Sequence, residues 1–357
     1  MSYTFPHTVY SGIRYGGHVQ GIAIDEVSRH VYFSFTTELV KTDYAGNLIG
    51  SVEGLAGHLG CIVFDPERRR VVGSLELKHD AIGKGIVSRT GRELAEEDAF
   101  YLVAFDVDAI DRPDMDAEAD GIMKAVWLRE VVEDYNATDE ISGKRHRYGC
   151  SGIDGAAWGP VFGADPDSRP KIMVAYGIYG DTTRADNDHQ VILCYDPIIF
   201  DKYGQPLRQS APHHNGPESP EAKYFFFTGN TTYGVQNLEY DPFTRTWLTA
   251  VYTGKKNDFP NYPLFLIDGQ VSPAMLPLRG RNGEIGLTLT PARLGRMPDE
   301  LTPGCHFPLG STGIYAFGDG RYAFSVHGRE GDGFTSTVVT YRLDKQSQAL
   351  FSEEQAD

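Results

Sequence analysis

Hydrophobic residues in this chain come in short runs, paired across tight turns, and the pairs recur. Gly17-His18-Val19-Gln20-Gly21-Ile22-Ala23-Ile24-Asp25 leads into Arg29-His30-Val31-Tyr32-Phe33-Ser34-Phe35. Gly57-His58-Leu59-Gly60-Cys61-Ile62-Val63-Phe64-Asp65 leads into Arg70-Val71-Val72-Gly73-Ser74-Leu75. Two weaker copies begin at Tyr233 and Gly310, and a fifth begins at Gly149 and resumes at Ile172. Each copy is a glycine with a polar residue, an apolar strand, a turn and a second apolar strand. Self-similar strand pairs of this kind mark a radially repeated β architecture. The five copies predict an all-β fold, a five-bladed β-propeller, with each copy supplying the two inner strands of a blade.

Taken in order, the strands of blade one fall at 21–24, 31–35, 39–42 and 48–52. Blade two takes 61–64, 71–75, 100–107 and 123–128, and blade three 155–158, 171–177, 190–195 and 224–228. Blade four takes 235–240, 247–252, 264–267 and 274–277, and blade five 313–317, 322–326, 335–343 and 349–352. Residues 4–12 read as a strand that completes the last blade and closes the ring, which removes exposed edges. The expected organisation is one domain over 1–357, with blades at 13–55, 56–128, 149–228, 233–278 and 310–352 plus 4–12. The stretches 76–98 and 108–120 read as charged loops, 129–148 as a long lead-in to blade three, and 279–309 as the approach to blade five. No long segment has helical periodicity. Short helices are expected only at 198–203 or within 291–301.

Composition supports this reading. Among 357 residues are 40 Gly, 20 Tyr and 19 Phe, turn formers between aromatic runs. The net charge of −16 argues against nucleic-acid and anionic-membrane partners. The first residues lack a basic and apolar leader, and no run is long enough to span a membrane. The expectation is therefore a cytoplasmic protein. Cys61, Cys150, Cys194 and Cys305 are scattered and read as reduced thiols. The pattern sets no oligomeric state.

In a four-stranded blade, the lead-in to the inner strand and the loop after the second strand share one face. Here those loops carry most of the chemistry, and function concentrates in such loops. His18 and His58 occupy the same repeat position at the mouth of the channel, as ligands or proton carriers. Gln20 and Gln236 share a position two residues after His18. His18, His58, Gln20 and Gln236 together have the chemistry to hold a divalent cation such as Ca, Mn or Zn. The alternative for them is to hydrogen-bond backbone at the channel neck. His79 and His327 end second strands and are expected one layer out, as bases or charge neutralisers. Their alternative is to cap strands in wet loops. Arg145, Arg147 and Tyr148 lead into blade three, where guanidinium forks suit a carboxylate. Tyr148 joins the four histidines as a catalytic candidate. Arg329, Tyr176, Tyr233 and Tyr252 are expected to bind substrate near the same mouth, Tyr179 beside them. Asp25, Asp65 and Asp241 read as turn formers, and no carboxylate pair demands a glycosidase. No phosphate-binding loop, zinc-type cysteine pair or nucleophile elbow is present.

The repeats at 17–35 and 57–75 resemble those of β-propeller proteins generally. The His/Gln set is similar to that of metal-bearing propeller polysaccharide lyases such as oligogalacturonate lyases, which have more blades. That resemblance implies an enzyme acting on a sugar or uronate-containing glycoside, by β-elimination or hydrolysis. A metal-dependent lactonase-like hydrolase, and a non-catalytic sugar-binding or scaffold propeller, are the alternatives. The expected partner is a small molecule or oligosaccharide, and no organic cofactor is expected.

Overall fold

Five mainly antiparallel sheets stand in a ring, so the chain is a five-bladed β-propeller. The computed structural model describes residues 5–140, 142–297 and 301–355. Thr4 of the expected closing strand, residues 1–3 of the leader reading, and residues 298–300 within the second expected helix lie outside them.

Blade one is Val19–Asp25, His30–Phe35, Glu38–Asp43 and Leu48–Glu53, and blade two is His58–Asp65, Arg70–Leu77, Ala99–Asp106 and Met123–Trp127. Blade three is Cys150–Gly159, Lys171–Ile178, His189–Tyr195 and Ala222–Phe227. Thr231–Asp241, Thr246–Thr253, Leu264–Asp268 and Gly304–Cys305 make blade four. Blade five is Ile314–Ala316, Arg321–Glu330 and Gly333–Leu343, with Thr8–Tyr10 and Phe351–Glu353 both pairing along its last long strand. The N-terminal strand closes the ring as expected, Val9 opposite Val338.

The turn between the two inner strands repeats in atomic detail. Asp25, Asp65 and Asp241 each accept backbone N–H bonds from the residues two and three positions on. Arg29, Arg69 and Arg245 then each adopt positive φ, at 61°, 49° and 58°. The acidic side chain closes the turn and the left-handed residue reverses the chain. Apolar side chains fill the gaps between neighbouring blades. Trp247, Tyr32, Tyr101 and Tyr176 are among the largest fully buried side chains.

Four inner strands also share a defect. Their pairing slips between Val19 and Gly21, Leu59 and Ile62, Ile153 and Ala156, and Val235 and Asn237. A bulge leaves a residue out of the ladder and re-aims its side chain. The column so displaced contains Gln20, Gly60, Asp154 and Gln236, all at the channel mouth.

Several sequence expectations are corrected. Residues 274–277 form the exposed strand Ala274–Pro277 at the outer edge of blade three, reached through Ile285–Thr288. Gly304–Cys305, inside the expected approach to blade five, is blade four's outer strand. The loop 76–98 contains the helix Ala81–Thr90, and 129–148 contains the helix Arg129–Asn136. Two glycines mask the first helix, although Asp80 caps its start and Gly91 its end with φ 65°. The acidic loop 108–120 lends Met115–Asp116 to blade one. The helix Ile199–Tyr203 is present, and no helix lies among the described residues of 291–301. All four cysteines are buried free thiols. Among the described residues no helix is long and apolar enough to cross a membrane.

Candidate functional site

A cavity of about 610 Å³ opens at the channel mouth. Its lining includes His18, Gln20, His58, Tyr233, Gln236, Tyr252 and Arg329 from the expected set. His327 stands at its rim, its ring 4.8 Å from that of His18. Glu76, Lys78, Asp154 and Tyr179 add to the polar lining, as does Arg89 on the helix Ala81–Thr90.

The deepest part is a charge cluster. Lys78 Nζ donates to Glu76 Oε2 at 2.7 Å and to the Ser151 carbonyl at 2.8 Å, and lies 3.5 Å from Asp80 Oδ2. The other Glu76 oxygen accepts the Ile153 N–H at 2.7 Å. Asp80 Oδ2 accepts the Tyr179 hydroxyl at 3.0 Å, and Oδ1 caps the helix. Asp154 Oδ2 accepts from Gln236 Nε2 at 3.1 Å, while Oδ1 faces His58 Nδ1 at 3.5 Å. His58 Nδ1 is also 3.6 Å from Glu76 Oε2; it is buried and makes no hydrogen bond among the described residues.

These surroundings set the protons. Burial, then the negative charge of Glu76, raises the Asp154 carboxyl well above its ordinary range. Burial, then the Lys78 ammonium, lowers His58 to about 3. Burial opposes the charge on Lys78, but Glu76, Asp80 and Asp154 outweigh it and hold the ammonium above its usual pKa. The surroundings thus favour the protonated form of Asp154 and the uncharged imidazole of His58.

Two glycines make room for this cluster. A Cβ on Gly60 would collide with Ser74 Oγ and lie 3.0 Å from the Asp154 carbonyl. A Cβ on Gly152, where φ is 125°, would collide with Glu76 Oε1. Tyr233 adopts φ 63° ahead of Gly234. That left-handed bend, costly for a tyrosine, turns its ring into the cavity near Tyr252.

Other expected residues lie elsewhere. His79 turns outward where Asp80 begins the helix, and its ring pairs with Asp98 at 3.1 Å. Tyr148 is buried against Phe225, and its hydroxyl donates to Glu284 at 2.6 Å. Arg147 faces Glu284 and Asp134, and the Arg145 carbonyl accepts from Arg184. Tyr176 is a core residue whose hydroxyl donates to Asp134. The cause is common to these four. The helix Arg129–Asn136 covers the side of blade three and draws 145–148 and Tyr176 into an ion-pair network there.

Of the expected metal ligands, His58 alone belongs to a compact donor set. Among the described residues, His58, Glu76 and Asp154 bring ligand atoms within 4.8 Å of one another. One imidazole and two carboxylates suit a divalent cation, but Lys78 already serves Glu76. The amide nitrogens of Gln20 and Gln236 are engaged, Gln20 with Thr36 and the His18 carbonyl.

Sequence reasoning missed Glu76 and Asp154. Asp154 stands in the repeat column of Gln20 and Gln236, a signal present in the sequence. Glu76 continues an apolar strand as Leu75-Glu76-Leu77, so its inward side was legible from alternation.

No protein-family model and no curated protein sequence matches the chain. Solved structures similar to it include a functionally unknown protein from Desulfotomaculum acetoxidans, at 11% identity over 96% of this chain and 70% of that one, TM-score 0.37. An α-L-arabinanase mutant from Cellvibrio cellulosa aligns at 8% identity over 92% of both chains, TM-score 0.42. The WD40 domain of Neurospora crassa Pan2 aligns at 9% identity over 90% of this chain and 75% of that one, TM-score 0.31. None of these likenesses bears on chemistry.

Proposed function

We propose that the cavity is an acid–base active site that cleaves a C–O bond in a carbohydrate, by β-elimination or hydrolysis. The observation that carries this reading is the placing of Asp154, whose proton affinity is raised, 3.5 Å from His58, whose proton affinity is lowered, at the cavity floor. Pairs of groups whose surroundings drive their proton affinities apart are the mark of acid and base roles. Tyr179, Tyr233 and Tyr252 offer rings for the apolar faces of sugars.

Asp154 gives its proton to the leaving oxygen as the C–O bond breaks. His58 takes a proton from the adjacent carbon in elimination, or from water in hydrolysis. Once Asp154 is ionised, a carboxylate beside the imidazole raises its basicity. The imidazolium and carboxylate left behind are neighbours and exchange the proton back. Acid and base so close together serve one face of the substrate. That arrangement favours elimination over an inverting displacement, which needs carboxyl groups about 6.5–9.5 Å apart on opposite faces.

A second reading is a metal-dependent, lactonase-like hydrolase, favoured by the His58–Glu76–Asp154 donor set. The cation would polarise a carbonyl or a water.

The test is turnover of neutral and acidic oligosaccharides by the native protein and by Asp154→Asn. Ultraviolet absorbance of unsaturated ends reports elimination, and new reducing ends without it report hydrolysis. The variant is expected to lose about 100-fold or more. Full activity in Asp154→Asn refutes the acid role. Loss of native activity on chelation, restored by a divalent metal, selects the second reading.

A further inference from the structure

The cavity is divided by charge. Its acids, Glu76 and Asp154, lie on the side of blades two and three. The opposite side, where blades five, one and two meet, presents His18, Arg89 and Arg329, with His327 against His18.

Arg89 reaches across from the helix Ala81–Thr90 to blade one. A Cβ on Gly17 would lie 2.9 Å from its Nη2. Arg329 rests on the Phe334 ring at 4.4 Å, and Phe334 in turn packs on His18. Arg89 thus lies beside Gly17, the residue before His18, and the charge of Arg329 reaches His18 itself. Among the described residues neither has a carboxylate partner. Many other arginines do, including Arg14, Arg69, Arg92, Arg184 and Arg281. In a chain of net charge −16, two unpaired guanidiniums facing one cavity are a local exception to the overall field. A guanidinium fork matches a planar or tetrahedral oxyanion.

We infer that His18, Arg89 and Arg329 form an anion seat that selects an acidic sugar. The sugar's carboxylate or sulfate lies against the two arginines, and its reacting bond lies over Asp154. This rests on the carbohydrate reading above and adds polarity to it: the substrate is bound in one direction. The arginines bind and orient; the proton transfers belong to Asp154 and His58.

The test is calorimetric titration with D-glucuronate and D-galactose 6-sulfate against D-glucose and D-galactose. Each is run on the native protein, Arg89→Gln, Arg329→Gln and the double variant. Melting curves confirm that the variants, altered at exposed positions, remain folded. At least one acidic sugar should bind tenfold or more tightly than its neutral counterpart, and added salt should weaken it. The double variant should bring that ratio near one; the acid that binds identifies carboxylate or sulfate. Equal binding of acidic and neutral sugars, an unchanged ratio in the double variant, or no binding of either acid overturns the seat. Asp154→Asn separates the two ideas. Retained anion preference with lost turnover supports both, and retained turnover removes the acid role while leaving the seat intact.

Discussion

Lys78→Met removes the ammonium buried beside Glu76, Asp80 and Asp154. The Lys78 side chain is 4% exposed and that of Glu76 is 2%. Without the ammonium, Glu76 keeps only the Ile153 N–H, and the Ser151 carbonyl loses a donor. Stranding one partner of a buried pair costs about 3–5 kcal/mol, and an orphaned carbonyl adds about 1 kcal/mol. Methionine preserves the packing of the stem, so the expected loss at neutral pH is about 4–6 kcal/mol from these two sources. The loss should shrink in acid. An uncompensated buried Glu76 has a raised pKa in the folded variant, against about 4.3 unfolded. Between those values the folded variant binds more protons than the unfolded chain, so its stability rises as pH falls toward 4.3. Urea unfolding at pH 7 and pH 5, for the native chain, Lys78→Met and Lys78→Met/Glu76→Gln, measures this. The double variant removes the stranded charge and should recover most of the loss. A single variant within about 1 kcal/mol of native at pH 7, or a double variant no better than the single, refutes the cluster as the anchor of the site.

The pH dependence of turnover should lack an ordinary histidine limb. With His58 at about 3, activity should persist as pH falls through about 6.5. It should decline on the alkaline side as Asp154 loses its proton, and a kcat/KM profile reads both limbs. Gly60→Ala should cost about 1–3 kcal/mol through overpacking and reduce turnover by displacing Asp154; a melting curve beside an activity assay separates the two. Tyr148→Phe should keep full turnover while losing about 1 kcal/mol from its bond to Glu284. Impaired catalysis at unchanged stability would return Tyr148 to the active site.

The ring was legible because its repeat is carried by short-range chemistry. A glycine lead-in, an apolar strand and an aspartate turn can be read along the chain, and they hold in three dimensions. The outer strands were less legible because they are short and are borrowed from distant loops. Ala274–Pro277 was legible as a strand but not in its blade, because it joins blade three through Ile285–Thr288 and not its neighbour in sequence, Leu264–Asp268. His18, His58, Gln20 and Gln236 were found because equivalent blades aim equivalent residues inward. Asp154 has the same position, but it was hidden because its column holds an amide twice and a glycine once. Tyr148 and Tyr176 were misplaced because the helix Arg129–Asn136, whose pattern is short and acidic, redirects that side of blade three.

The seam of the ring carries a cost in time. Ser11 Oγ meets the Ser336 N–H across 325 positions of sequence, and Thr8–Tyr10 cannot pair until that partner exists. At about 5–20 residues per second during synthesis, the strand waits on the order of tens of seconds. Through that interval the earlier blades stand as an open arc with unpaired borders, exposed to wrong neighbours. Joining such remote segments is slow for a chain dominated by non-local contacts. Once made, the join holds both flanks of the arc, so mechanical or thermal opening would begin by parting this hem rather than by loosening any single blade.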